Sequence, residues 1–279
     1  MNGRLEGKVA FVTGAARGQG RSHAIRMAQE GADIIAVDIC QDIATVTAYD
    51  LATEADLQET VRQVEALDRR IVARTADVRD LQALTQAVDE GVAELGRLDI
   101  VVANAGIFSH ALETHQLEMQ SWVDVIDVNL TGVFTTVKAA IPHVLETGEG
   151  GSVILVSSLA GTKGLASLAA YTAAKHGVVG LMKVLANEYG KYGIRVNTIN
   201  PNAIGTEMVQ NETLYKIFRP DLEHPTLDDA LPAFAGMNPF GVPFIDPVHV
   251  SNAVVFLASE ESKYVAGVQL QVDAAAAIA

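Results

Sequence analysis

The stretch "KVAFVTGAARGQG", residues 8–20, passes from an apolar β-branched run into a turn with glycine at 14, 18 and 20, then into residues of helical composition. Strand, glycine turn and helix in direct succession open a βαβ unit. Gly14, Gly18 and Gly20 allow a tight turn and close approach of backbone to a pyrophosphate. A helix N-terminus then stabilises that anion with free N–H groups and its dipole. Arg17 and Gln19 fill the positions between the glycines and belong to the same candidate binding turn. Glycines also serve as ordinary turn residues and caps, so the placement between strand and helix carries the reading.

Outward from this turn the pattern repeats. Apolar runs at 8–14, 32–38, 70–78, 98–106, 151–158, 194–201 and 268–273 alternate with segments of helical period. The spacing predicts an α/β fold, a single Rossmann-type doubly wound domain spanning 1–279 on a seven-stranded parallel sheet. Leu81, Leu84, Val88, Val92 and Leu95 recur at spacings of three and four, one apolar stripe to lay on that sheet.

Composition excludes several function classes. The net charge of -14, with basic residues scattered singly, would repel a phosphate backbone, so no nucleic-acid partner is expected. Cys40 is the only cysteine, which leaves no internal disulfide, and the histidines at 110, 115, 143 and 224 lack ligand spacing, so no metal is expected. No signal-peptide pattern opens the chain and no run approaches the roughly 18 apolar residues of a membrane span, so a soluble, cytoplasmic protein is expected, with no membrane partner.

Asp38 ends the second apolar run, about 20 residues past the glycine turn, where a carboxylate accepts from a ribose 2′-hydroxyl and repels a 2′-phosphate. That favours NAD over NADP, against a weaker opposing signal from Arg17. Ile39 follows Asp38 and is grouped with it as cofactor-binding. Residues 39–53 then show no obvious packing pattern. Thr53 and Asp56 form a capping-box signature, and Leu57, Val61, Val64 and Leu67 recur at helical spacing, so a helix begins near 54. The intervening loop lies at the C-terminal edge of its strand, where open α/β sheets bind ligands.

The sharpest chemical signal is "SSLAGTKGLASLAAYTAAK", residues 157–175. Tyr171 and Lys175 stand one helical turn apart, so the ammonium can favour the tyrosinate and lower a pKa of about 10. A phenol so tuned moves protons near neutrality. Ser158, thirteen residues before Tyr171, can donate to a substrate oxygen as charge develops there.

Together these residues resemble the short-chain dehydrogenase/reductase family over essentially the whole chain. The glycine pattern matches Thr13, Gly14, Gly18 and Gly20; the structural "NAG" matches Asn104, Ala105 and Gly106; and the catalytic serine, tyrosine and lysine match Ser158, Tyr171 and Lys175. The resemblance adds Asn129 as a fourth catalytic residue, holding a water in a proton relay. It also implies that Asp77 and Val78 lie beside the adenine, with capping of the next helix as the alternative for Asp77. Pro201, Ile204 and Thr206 match the segment that cups the nicotinamide. Departures fall at Asn202, Gly205, Ala274 and Ala275, the alanines replacing customary glycines.

The long loop after Asp38 resembles the mycofactocin-coupled branch, which includes carveol dehydrogenase-like enzymes. In that branch the insertion covers an NAD that is retained through turnover and reoxidised in place by a separate redox carrier. Residues 207–244, rich in Met, Phe and Pro, suit an apolar lid over a hydrophobic alcohol or ketone, a terpenoid among them, or equally a contact between subunits. Helices over 110–146 and 171–192 and the last strand resemble surfaces that assemble the family into homotetramers. The rival readings are a freely exchanging NAD(P)-dependent ketoreductase and a non-catalytic NAD-binding sensor or scaffold. The sensor would have no reason to keep Asn129, Ser158, Tyr171 and Lys175 together.

Overall fold

The computed structural model describes residues 3–279. The strands β1 (Val9–Thr13), β2 (Asp33–Asp38), β3 (Ile71–Thr75), β4 (Ile100–Ala103), β5 (Gly151–Val156), β6 (Ile194–Pro201) and β7 (Gln269–Val272) form one sheet, ordered β3-β2-β1-β4-β5-β6-β7. Every pairing is parallel. The expected architecture is therefore present, with β6 spanning the whole of its apolar run and the other strands shorter than theirs by a residue or more. The winding reverses between β1 and β4, and the carboxyl ends of those strands open the crevice where such sheets bind ligands.

Side-chain alternation along the strands feeds two cores. Val9 and Phe11 of β1 join the face covered by α3 (Leu81–Leu95), α5 (Gly132–Glu146) and α6 (Ala169–Tyr189). Ala10 and Val12 join the opposite face, under α1 (Gly18–Gln29) and α9 (Pro247–Ala258). Phe11 is fully buried; burying such a ring contributes about 2–3 kcal/mol.

The helix after the long loop, α2 (Glu54–Glu65), starts at the capping box read from the sequence. Thr53 accepts from the Asp56 N–H at 3.2 Å, and Asp56 accepts from the Thr53 N–H at 2.9 Å. Other expectations need correction. Residues 110–118 hold only the short turn Thr114–Gln116, and helix resumes at α4 (Met119–Ile126), which passes through a π-helical turn at Asp127–Thr131 into α5. The stretch expected at 171–192 is α6 and a following turn at Gly190–Tyr192. The 207–244 segment folds into α7 (Glu212–Phe218) and α8 (Leu227–Ala235), and its aromatics pack largely on one another. Phe234 lies 4.5 Å from Phe218 and 4.7 Å from Phe244 between ring centroids.

Ala274 and Ala275, where the family's glycines were expected, have φ of 53° and 67°. The left-handed region costs a residue with Cβ about 1 kcal/mol, so the turn needs support. Asp273 provides it, accepting from the N–H groups of Ala275 at 3.0 Å and Ala277 at 2.8 Å.

Candidate active site

A cleft of about 1060 Å³, its solvent mouth included, runs along the carboxyl ends of the central strands. One end is the glycine turn. Gly14 has φ of 66°, and a methyl there would come within 2.9 Å of Ala105 Cα; at Gly20 it would lie 1.9 Å from the Gly14 carbonyl oxygen. Only glycine allows helix and strand to approach so closely. α1 carries no side-chain cap and no acidic residue in its first turn, so its N-terminal N–H groups remain available to an anion in the cleft. The Gln19 side chain lines the cleft, and its buried Oε1 has no partner in the protein.

Asp38, 8% exposed, forms the adjacent wall. Its carboxylate accepts from the N–H groups of Ala16 at 3.0 Å and Cys40 at 3.3 Å. Burial raises its pKa above the ordinary value, while those N–H donors and the Arg17 charge pull it back. Ile39, Asp77 and Val78 line the same wall. Asp77 does not cap α3, as Asp80 does that by accepting from Gln82 and Ala83 N–H. Instead Asp77 pairs with Arg79 at 2.6 Å.

Asn104, Ala105 and Gly106 form the floor. Thr13 Oγ1 accepts from the N–H groups of Asn104 and Ala105, and the Asn104 amide donates to the Thr13 carbonyl at 2.9 Å, stapling the ends of β4 and β1 across the switch point. Asn129, fully buried in the π-helical turn, spends its amide on Ile107, accepting from its N–H and donating to its carbonyl, both at 2.8 Å. Such turns concentrate at functional sites. A methyl on Gly106 would lie 3.3 Å from Asn129 Oδ1 and 3.6 Å from Lys175 Nζ, so both side chains stand directly behind the floor.

The other end of the cleft holds Tyr171 and Lys175 of α6. Lys175 Nζ donates to the Val156 carbonyl at 2.9 Å and lies 5.6 Å from the Tyr171 ring centre. Burial lowers the ammonium to about 8. The expected lowering of Tyr171 is not produced by the protein's own groups. Burial raises the phenol, opposed by the hydrogen bond from Ser158. The Lys175 charge does not offset this.

Ser158, Asn129, Pro201 and Ile204 stand behind the lining, whereas Thr206 forms part of it and packs near Gly18. Sequence reasoning missed Ser157, whose hydroxyl donates to the Lys175 carbonyl at 2.9 Å; of the segment 207–244, Glu207 and Met208 line the cleft. It also missed Ile43, Tyr49, Leu51 and Ala52 in the connection from β2 to α2, all of which line the cleft. The connection is not unpacked. Ile43, Val46 and Ala52 are buried, and the Arg17 guanidinium sits 5.9 Å from the Tyr49 ring centre and donates to the Asp50 carbonyl.

This geometry is shared with known proteins. The family model for short chain dehydrogenases matches residues 8–216. A (-)-trans-carveol dehydrogenase from Rhodococcus erythropolis is 50% identical over 271 residues, 97% of this chain and 98% of the relative. The crystal structure of a carveol dehydrogenase from Mycobacterium avium in complex with NAD superimposes with a TM-score of 0.98 at 53% identity, covering 99% of this chain and all of that one. A short chain dehydrogenase from Mycobacterium paratuberculosis bound to NAD gives 0.90 at 44% identity, with 99% of each chain covered. With a matched family model, a half-identical relative along its length and the strand order and cleft described above, the chain belongs to the short-chain dehydrogenase family.

Proposed function

We propose that this enzyme oxidises a hydrophobic secondary alcohol to its ketone, with NAD held tightly in the cleft. One observation carries the reading: Tyr171, hydrogen-bonded by Ser158, and Lys175 stand at one end of a cleft whose other end is the glycine turn and Asp38. The residues fit NAD. The uncapped α1 N-terminus and glycine turn suit the pyrophosphate, the orphan Gln19 Oε1 seeks a donor, and the Asp38 carboxylate suits a 2′-hydroxyl and opposes a 2′-phosphate. Ile39, Asp77 and Val78 take the adenine side, and Pro201, Ile204 and Thr206 the nicotinamide side. When bound, NAD would supply a hydride acceptor and the positive charge of its oxidised ring.

Tyr171 acts as general base, taking the hydroxyl proton of the alcohol. Ser158 donates to the same oxygen and, through its hydrogen bond, favours the phenolate. Lys175 places its charge under this end of the site, anchored on the Val156 carbonyl. Asn129 holds the floor through Ile107 and supports the relay behind Lys175. The carveol dehydrogenase relatives and the apolar wall formed by Met208 and Ile107 support a terpenoid alcohol as substrate. The connection at 39–53 acts as a cover over the cofactor and residues 207–244 as a substrate lid, which supports retention of NAD and reoxidation in place by an external carrier such as mycofactocin. Exposed Met119, Val123 and Phe134 along α4 and α5 support assembly into a homotetramer.

The test is turnover of carveol with ketone detected directly, with NAD alone and with an added artificial electron acceptor. Tyr171→Phe should abolish turnover by a factor of at least about 10² and retain bound NAD. Wild-type activity in that variant would refute the mechanism. Turnover with NAD alone at full speed would return the enzyme to the freely exchanging class.

A further inference from the structure

The connection between β2 and α2 leaves the sheet on one side of the switch point and is fastened on the other. Two side-chain hydrogen bonds do this. Thr45 Oγ1 donates to Asp124 of α4 at 2.7 Å, and the Tyr49 hydroxyl accepts from the backbone N–H of Phe108, in the segment after β4, at 3.0 Å. Since β2 and β4 flank β1, a chain tied at both ends in this way crosses above the end of β1 and the glycine turn. It is a strap over the cleft.

Of the two tethers, Tyr49 is placed to matter for the chemistry. It lines the cleft, and the guanidinium of Arg17, from the glycine turn, lies over its ring 5.9 Å from the centre. Burial and the neighbouring Tyr171 push the phenol to about 12, so it stays protonated. The Phe108 N–H is a donor to Tyr49, which leaves the Tyr49 O–H as a free donor for an acceptor in the cleft. Phe108 in turn meets the Tyr171 ring edge-on, centroids 6.2 Å apart. A single side chain thus touches the glycine turn, the strap's far anchor and, through Phe108, the proposed base.

We propose that Tyr49 is a positioning residue: it latches the strap across the bound dinucleotide, sets the rate of nucleotide release, and fixes Phe108 against Tyr171. The proposal rests on the reading of the cleft as a site of tightly held NAD. Opening the strap requires breaking the bond to Phe108 and separating Arg17 from the ring, and it frees the Phe108 that packs edge-on against Tyr171. Nucleotide retention and substrate placement are therefore coupled through this residue.

The experiment compares wild type, Tyr49→Phe and Thr45→Val, each loaded with NAD. Release is followed by chase with isotopically labelled NAD, and the alcohol reaction by single-turnover kinetics on the loaded enzyme. Tyr49→Phe keeps the ring beside Arg17, so it should fold, with a melting midpoint lowered by no more than about 5 °C. Loss of one net hydrogen bond should speed release by about two- to tenfold. KM for the alcohol should rise by about the same factor as Phe108 loosens, with the single-turnover rate constant little changed. Thr45→Val should speed release without altering the alcohol KM. The ratio of variant to wild-type release rates tests the latch, and the absolute wild-type rate tests retention. Wild-type exchange complete within seconds would refute tight holding of NAD and still leave the ratio readable. Equal release rates for Tyr49→Phe and wild type would overturn the latch, as would an equal effect of both variants on the alcohol KM.

Discussion

Replacing Asp38 by asparagine isolates the electrostatic basis of cofactor choice. The carboxylate is almost entirely buried, in a wall of the cleft, so water screens it poorly. At an effective dielectric of about 20, two unit charges some 5 Å apart repel by about 3 kcal/mol. A 2′-phosphate carries between one and two charges, and the solvent mouth and salt remove part of the repulsion. A net penalty of about 3 kcal/mol is expected, or roughly two orders of magnitude in affinity at about 1.4 kcal/mol per tenfold. The asparagine side chain would keep an acceptor for the Ala16 N–H, so the turn should survive the change. The assay is the affinity of nucleotide-free enzyme for NAD and for NADP, in wild type and in Asp38→Asn. Wild type should favour NAD by about a hundredfold and the variant by less than about tenfold. Acid should act in the same direction. Burial holds the Asp38 carboxyl above its ordinary value, so the preference should begin to fall at a higher pH than for an exposed aspartate. An unchanged NAD to NADP ratio in the variant would refute the assignment.

Further outcomes follow from individual groups. Because the proposed base is the phenolate and burial raises Tyr171, alcohol oxidation should climb with pH on a limb lying above neutrality, and ketone reduction should fall over the same range; a flat rate profile from pH 6 to about 10 would count against Tyr171 as base. His23 is fully buried against Ser251 and pushed down to about 3, so it is neutral when folded and takes up a proton on unfolding below about 6.5. Stability should therefore decline as pH falls through that window, by up to about 1.4 kcal/mol per pH unit from this group. His23→Leu should flatten the slope of denaturant-derived stability against pH by that amount, and an identical slope would show another group responsible. Replacing Ala274 and Ala275 together by glycine should raise stability by about 1 kcal/mol, once the greater freedom of unfolded glycine is set against the relieved left-handed strain. A lower melting midpoint would show that the alanine methyls contribute packing that outweighs the strain.

Much of the fold was legible because its signals are local. Seven apolar runs, the Thr53–Asp56 box and the stripe on α3 each depend on residues a few positions apart. The glycine turn, Asp38, Tyr171 and Lys175 were legible for the same reason, and they do meet in one cleft. What escaped depends on partners distant in sequence. The strap shows no period because Ile43, Val46 and Tyr49 join one core and Ala52 the other, while Thr45 bonds to α4 and Tyr49 to the segment after β4. Helix capping by Asp80 instead of Asp77 turns on which carboxylate Arg79 captures. The raised Tyr171 could not be read from its spacing to Lys175, since spacing places the ammonium one turn away but says nothing of the desolvation both groups suffer. The aromatics of 207–244 looked available to a substrate, yet mutual packing removes Phe218, Phe234 and Phe244 from that role.

The strap has a thermodynamic consequence for the proposed enzyme. A dehydrogenase that exchanges its nucleotide between turnovers equilibrates with the cellular pool, and the pool's ratio of reduced to oxidised cofactor sets the direction of its reaction. A dinucleotide lying beneath a chain tied down at Thr45 and Tyr49 equilibrates with the pool only as fast as those ties open. When that opening is slower than turnover, the redox state of the bound nucleotide answers to the alcohol–ketone couple and to whatever acceptor reaches the closed site. The direction of the reaction is then insulated from the metabolic state of the cell.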